Sequence, residues 1–232
     1  MKVSIVIPGF NRWDLTHRRL FELYNQITHK PYEIVYSDDA STDPSVLGGL
    51  KWWKTSGPMR LRVVLGAKNK GFSHTCNAGI EHAKGDVIVV LSNDVEVYGD
   101  FVTSIVDRLS MGEKTLIGNT LYDWDTGWNN LVINGKKTLF PYLGGYMIAA
   151  TRDTWDDLGG FDAETYKRYD YEDVDLSTMA IRKGYALHAI KSPHLKHLSG
   201  QTIMTVDKNR EKRTMKNRAR FIEKWSRIYA ED

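Results

Sequence analysis

The feature that most constrains this chain is the run Val87–Leu91 inside "DVIVVLSNDVEV" (86–97), five apolar residues without a polar break. A strand with water on one face alternates apolar and polar side chains. An unbroken run instead fits a strand buried on both faces, as in a parallel sheet covered by helices on each side. The run is typical of the longest in the chain and falls far short of the roughly 20 residues needed to span a bilayer. It stops at Ser92, Asn93 and Asp94, with Glu96 close behind. Carboxylates resist leaving water. Either the chain surfaces there in a solvated turn, or the acids are held at a strand end for chemistry.

The rhythm on either side chooses a fold class. "VSIVIP" (3–8), "EIVYS" (33–37) and "LRVVL" (61–65) read as three further strands. Between them, Leu20, Leu23, Tyr24 and Ile27 mark one helix face, and a segment around Val46 to Trp53 follows the turn-rich "DDASTDP". "NKGFSHTCNAGIEHA" then reads as a helix opened by glycine. Strands separated by helices imply βαβ units. The expected fold class is therefore α/β, a Rossmann-like and mainly parallel central sheet with helices on both faces in one compact domain. The second half is less regular. "GNTLYDWDTGWNNLVINGKKTLFPY" (118–142) suggests loops or hairpins, and "GGYMIAAT" (144–151) and "ALHAI" (186–190) look like strands. "YEDVDLSTMAIRKGY" (171–185) looks like a helix with an acidic start, and a last helix carries Phe221, Trp225 and Ile228.

A hydrophobic content of 41% with 26% charged residues in 232 excludes wholesale disorder and permits a sizeable core. The opening "MKVSIVIPGF" meets Pro8 and Gly9 too soon for a signal peptide, and the single cysteine, Cys76, fits a reducing compartment. A cytoplasmic location is expected. Cys76 itself reads as small core within a helix rather than as a nucleophile. Charge is uneven: residues 208–227 hold nine Lys and Arg against two Glu, a local +7 in a chain whose formal net charge is +3. That stretch is either a solvated helix face or a contact for a polyanion or membrane surface.

In an open α/β sheet, ligands bind outside the carboxyl ends of the strands. The first four strands end at "PGFNR", "DDASTD", "NKGF" and "SNDVEV", so all four polar loops are expected along one edge. Each alone is ordinary turn chemistry, but together they form a nucleotide-like constellation. Asp94 suits a hard cation, Mn2+ or Mg2+, which a few carboxylates commonly bridge to substrate phosphates. Glu172, Asp173 and Asp175 open a helix, where carboxylates cap N–H groups; one of them within reach of a hydroxyl is a candidate general base. His197, or the competing His194, could complete a metal site begun by Asp94.

With these residues in view, the chain resembles the family-2 glycosyltransferases of the GT-A fold. The likeness runs in order through "SIVIPGFNR", "DDASTD", "NKGFSHTCNAGI", "GDVIVVLSNDVEV", "LGGFD", "YEDVDLSTMAIRKGY" and "HLKHLSGQT". The resemblance implies a nucleotide-sugar half (1–97), an acceptor and catalytic half (98–206) and a basic C-terminal helix (207–232). By it, Pro8, Phe10 and Asn11 lie near base and ribose, and Asp39 takes a uracil-type N3–H. Asn69, Gly71 and Asn77 shape the nucleotide pocket, and Asn93 with Asp94 meets the donor. Asp94 and His197 hold the metal, Asp173 is the base with Glu172 beside it, and Trp124, Trp128 and Tyr142 are candidate acceptor contacts. Two departures stand out: Ser92 replaces the first Asp of the Asp-X-Asp element, and Cys76 stands where many relatives carry Arg. Both look like the branch with an Asn-Asn-Asp-Thr-Glu-type motif.

The function expected is inverting, metal-dependent transfer from a UDP- or dTDP-linked sugar to a hydroxyl, on a glycan before a nucleic-acid base or protein. The alternatives are an inactive nucleotide-sugar or glycan-binding module and a sugar nucleotidyltransferase. The latter class usually opens with a Gly-rich, Arg-containing loop, where this chain has "PGFNRWD".

Overall fold

In the computed structural model, residues 1–198 and 209–231 are described. Three helices alternate with the first four strands: β1 (Val3–Gly9), α1 (Trp13–Gln26), β2 (Tyr32–Asp38), α2 (Pro44–Ser56), β3 (Leu61–Leu65), α3 (Phe72–His82) and β4 (Val87–Leu91). The second half adds β5 (Val95–Val97), α4 (Val102–Leu109), β6 (Thr115–Gly118), β7 (Leu121–Tyr122), β8 (Asn130–Ile133), β9 (Lys136–Leu139), β10 (Tyr142–Leu143) and β11 (Met147–Thr151). It closes with α5 (Arg152–Leu158), α6 (Glu172–Arg182), β12 (Ala186–Ala189), β13 (Leu195–His197) and α7 (Arg210–Ile228).

Seven strands form the central sheet in the order β12-β6-β11-β4-β1-β2-β3. Neighbours pair in parallel except at β11, which runs antiparallel to both β4 and β6. The sheet is thus mainly parallel, as the strand–helix rhythm implied. The antiparallel member is a strand reached from its neighbour without a helical crossover, which periodicity alone does not reveal.

Both faces of β4 are buried, and the alternation is visible in what each residue packs against. Val87, Val89 and Leu91 join a core with Leu20 and Leu23 of α1, Val46 and Trp53 of α2 and Ile105 of α4. Ile88 and Val90 face the opposite side, with Cys76 and Ile80 of α3, Trp155 of α5 and Leu176 of α6. Cys76 is fully buried there, as small core. Tyr24, expected on the inner face of α1, is 44% exposed, whereas Arg19 is fully buried. One residue on from Leu23, Tyr24 is turned about 100° away from the core.

A third core lies outside the sheet. The hairpin β8–β9 turns at Asn134–Gly135, both with positive φ (49° and 78°), the backbone demanded by a two-residue hairpin turn. It packs with Phe140, Tyr166, Tyr171 and Val174 against Phe221 and Trp225 of α7. Among the described residues, no helix is long and apolar enough to cross a membrane.

Candidate active site

The strand order reverses between β1 and β4, with α1 and α2 on one face and α3 on the other. That reversal leaves a crevice at the carboxyl ends of the strands. A cleft of about 770 Å³ opens there, within the range usual for small-molecule sites. All four polar strand ends reach it: Pro8, Gly9 and Phe10 at the end of β1, Asp39 after β2, Asn69 and Gly71 after β3, and Ser92, Asn93 and Asp94 after β4.

On the β2–β3 side, Asp39 is 7% exposed and accepts from two backbone amides, Lys70 at 2.7 Å and Gly71 at 2.8 Å. It ties the β3 loop to the sheet and still lines the cleft. Gly71 has φ +97°, and a Cβ there would lie 2.3 Å from Arg168 Cα, so no other residue fits without moving backbone. Two expected pocket residues do other work and do not line the cleft. Asn11 accepts from the Thr42 and Asp43 amides, bracing the β2 loop. Asn77 donates to the Phe161 carbonyl and accepts from the Phe161 amide, each across 2.8–2.9 Å, and so staples α3 to the loop before α6. An asparagine matched to a pocket motif looks the same in sequence whether it faces a ligand or another loop.

At the β4 end, Asp94 is 5% exposed and its Oδ1 accepts from Ser92 Oγ at 2.6 Å. Ser92, at the first position of the Asp-X-Asp-like element, thus orients the Asp94 carboxylate. Antiparallel pairing of β13 with β5 sets His197 opposite Val95 and brings His197 Nε2 to 3.4 Å from Asp94 Oδ1. The imidazole stacks on Tyr146, 4.4 Å between ring centres. His194 does not compete, because its ring lies over Gly99. Glu96 is also turned aside, bonded to Tyr98 Oη and 3.8 Å from Arg18. No group of three His, Cys, Asp or Glu gathers among the described residues. One carboxylate and one imidazole form a donor set suited to Mn2+ or Mg2+ when a substrate diphosphate supplies further oxygens.

Across the cleft, α6 begins with Glu172 and Asp173. Asp173 Oδ2 accepts from the Gly145 amide and Oδ1 from the Val174 amide, both at 2.9 Å. Burial pushes its carboxyl up to about 6 against the pull of those two N–H groups. Glu172 is 6% exposed, and its Oε2 has no hydrogen-bond partner among the described residues. Burial, with Asp173 alongside, holds its carboxyl well above the usual range. The third acid of the motif has a structural task. Asp175 accepts from Tyr166 Oη at 3.0 Å, Trp225 Nε1 at 2.8 Å and Lys224 Nζ at 2.8 Å.

Of the candidate acceptor residues, Tyr142 lines the cleft, stacked on Tyr122 at 4.8 Å and 20°. Trp124 and Trp128, 53% and 46% exposed, lie outside the cleft lining. The structure adds Tyr146, Arg168, Asp170 and Arg210 to the cleft. Sequence reasoning missed them because their placement depends on β-pairing and on left-handed backbone that leaves no residue signature. Within the basic stretch, Arg210 pairs with Asp170, Lys224 with Asp162 and Asp175, and Arg227 with Glu223. Residues 199–202 of the late histidine motif, and 203–208 and 232, lie outside the described residues.

The model of glycosyl transferase family 2 matches residues 4–183, well over half of the chain. The chain belongs to glycosyl transferase family 2. This family-2 chain is 25% identical over 217 residues to an uncharacterized protein of Mycobacterium tuberculosis, covering 88% of the chain and 77% of that protein. It is 26% identical to the dolichol-phosphate mannosyltransferase of Pyrococcus furiosus, over 70% of the chain and 46% of the relative. Its fold is similar to a mannosyltransferase of Pyrobaculum calidifontis solved with GDP-Man and Mn2+ (TM-score 0.62, 22% identity, 81% of this chain and 54% of that one). It is also similar to GalNAc-T7 solved with UDP, GalNAc and Mn2+ (TM-score 0.67, 19% identity, 81% and 41%). The chain thus spans about half the length of these solved structures, and the likeness to them establishes the GT-A fold.

Proposed function

We propose that this chain transfers a sugar from a nucleoside-diphosphate sugar to a hydroxyl acceptor with inversion at the anomeric carbon. The observation that carries the reading is Asp173: a carboxylate raised to about 6, both oxygens oriented by backbone N–H groups, in the same cleft as Asp94 and His197. Such a group is largely ionised at neutral pH and retains enough basicity to take a proton, the balance general-base catalysis favours. The acceptor oxygen forms its bond to the anomeric carbon while the bond from that carbon to the diphosphate oxygen breaks. The acceptor's proton goes to Asp173, and the electron pair departs on the nucleoside diphosphate. Burial, with Asp173 alongside, raises the Glu172 carboxyl well above its usual range.

Asp94 and His197 would hold Mn2+ or Mg2+, whose charge offsets that developing on the leaving diphosphate. Ser92 fixes the Asp94 carboxylate, and Tyr146 fixes the imidazole plane. In this reading the donor is uridine- or thymidine-linked: each Asp39 oxygen keeps a lone pair beyond its backbone bond, and an imide N3–H is the group assigned to it. The Tyr122–Tyr142 stack offers an aromatic face suited to sugar C–H surfaces, which favours a glycan acceptor.

The test is a panel of nucleotide sugars with Mn2+, followed by nucleoside diphosphate release. Asp173→Asn should retain donor binding and lose transfer by about 10²–10⁴-fold; wild-type turnover would remove Asp173 from the base role. Asp94→Ala should abolish the Mn2+ dependence of nucleotide affinity. Pyrophosphate release from a nucleoside triphosphate and a sugar 1-phosphate, supplied in place of the nucleotide sugar, would instead identify a nucleotidyltransferase, and nucleotide-sugar binding without release a sugar-binding module.

A further inference from the structure

Three residues just before the proposed base are non-glycines in left-handed backbone: Arg168 (φ 81°), Asp170 (φ 70°) and Tyr171 (φ 76°). Each such residue costs of order 1–2 kcal/mol, and the conformation persists only where surroundings over-determine it. The turn is also the entry to α6: Tyr171 is the N-cap, with no side-chain capping bond, and Glu172 and Asp173 follow at once. Something outside the turn has to hold it.

The Phe72 amide holds Arg168, donating to its carbonyl at 2.6 Å; the support at residues 169 and 170 comes from α7. Asn217 is fully buried, and its Nδ2 donates to the carbonyls of Tyr169 at 2.9 Å and Asp170 at 3.0 Å. Both amide hydrogens are thus spent on consecutive carbonyls of the turn. Its Oδ1 accepts from Arg220 Nη1 at 2.9 Å, which fixes the orientation of the amide. One turn earlier on the same helix, Thr214 Oγ1 donates to Asp170 Oδ2 at 2.6 Å. The family match ends at residue 183, so this support is supplied by a helix that lies beyond it.

We propose that Asn217, assisted by Thr214, is a positioning residue for the transfer reaction: from α7 it locks the turn 169–171, whose last two residues are left-handed, and thereby sets the direction in which α6 presents Asp173. The proposal rests on the reading of Asp173 as base. Asn217 never touches substrate; without its two N–H donors the carbonyls of Tyr169 and Asp170 lose their partners, and the turn can relax toward ordinary backbone. Asp173 would then leave its hydrogen bond to Gly145, while Arg168 stays bridged to Gly71 and bonded to the Phe72 amide, which keeps the β1–β4 side of the cleft in place.

The test uses the full chain and four variants: Asn217→Ala, Thr214→Val, Asp173→Asn and, as a control for loosening α7, Ile228→Ala. Ile228 packs in the same core but three helical turns from Asn217. Asn217→Ala should lower kcat at least tenfold with donor KM within twofold, and Thr214→Val, which is isosteric and keeps the fold, should lower kcat about threefold. Ile228→Ala should lower Tm and leave kcat within twofold. Amide hydrogen exchange across residues 171–175 should speed up in Asn217→Ala and not in Ile228→Ala, a readout that needs no donor. Unchanged exchange in Asn217→Ala, or kcat losses that track Tm alike in both variants, would overturn the proposal. A Thr214→Val enzyme with wild-type kcat and exchange overturns it even if Asn217→Ala fails to fold. Full turnover in Asp173→Asn would instead sink the base assignment, leaving the exchange result to judge the lock.

Discussion

Lys224→Met should destabilise the protein by about 2–4 kcal/mol, and the loss should depend on pH in a definite direction. Lys224 Nζ lies 2.8 Å from both Asp162 Oδ2 and Asp175 Oδ2, and the Asp175 side chain is only 4% exposed. Breaking a buried ion pair by removing one partner typically costs about 3–5 kcal/mol, because a charge is left uncompensated. The figure is reduced here because Lys224 and Asp162 are partly wet, with side chains 22% and 26% exposed. Asp175 also keeps two neutral donors, Tyr166 Oη and Trp225 Nε1. Methionine preserves most of the apolar stem, so the loss reports the charge rather than packing.

The assay is urea denaturation at pH 8 and pH 5. With a slope of roughly 2–3 kcal/mol/M, the midpoint should fall by about 1 M at pH 8. Burial already holds the Asp175 carboxyl above its ordinary range, and Lys224 opposes that shift. Removing the lysine raises the folded-state value further. The added cost is then fully present at high pH and shrinks as pH falls toward the unfolded-chain value near 4, because the folded carboxyl can bind a proton. Adding Asp175→Asn to Lys224→Met should cost less than the two single losses summed. A loss below about 1 kcal/mol at pH 8, or an equal loss at both pH values, would refute the reasoning.

Gly71→Ala should be severe: the φ of +97° alone costs more than about 1 kcal/mol with a side chain, and the new Cβ would press on Arg168 backbone at 2.3 Å; a Tm within 2 °C of wild type would contradict this. Gly145→Ala would place a Cβ 3.1 Å from both Cβ and Oδ2 of Asp173. It should cut kcat roughly ten- to a hundredfold with donor affinity kept, and isothermal titration beside steady-state kinetics separates the two. Wild-type stability should fall as pH rises from about 4.5 to about 7, because Glu172, Asp173 and Asp175 all bind protons more tightly when folded. His188, whose value burial lowers, opposes this more weakly in the same window. Below about pH 4 the trend should reverse, as Asp100, held at about 2, and Asp162 lose their favourable charges; stability rising steadily from pH 4.5 to 7.5 would exclude this account.

Much of the site was legible because it is built from strand ends. Pro8, Phe10, Asp39, Asn69, Gly71, Asn93 and Asp94 lie at or just after the carboxyl ends of parallel strands, and such strands present their following loops along one edge whatever the details of packing. Asn11, Asn77 and Trp128 show the limit of this reasoning. Each has the right residue type, but Asn11 and Asn77 bond to neighbouring backbone, and Trp128 lies outside the cleft lining. Residue type records what a side chain can bond to and not which partner arrives.

The sequence by itself determined the α/β sheet, the convergence of four polar loops and the acids after β4 and at the start of α6, because apolar periodicity and strand-end chemistry are local properties of the chain. Tertiary structure alone decided which histidine meets Asp94, since the β13–β5 register places His197 there and sends His194 to Gly99. It also divided the three acids of "YEDVDL" between unlike tasks: Asp173 faces the cleft, while Asp175 turns inward to Lys224 and Trp225. Two residues apart on a helix, they point about 200° from each other. Which one lines the cleft and which anchors the interior depended on the side from which α7 packed.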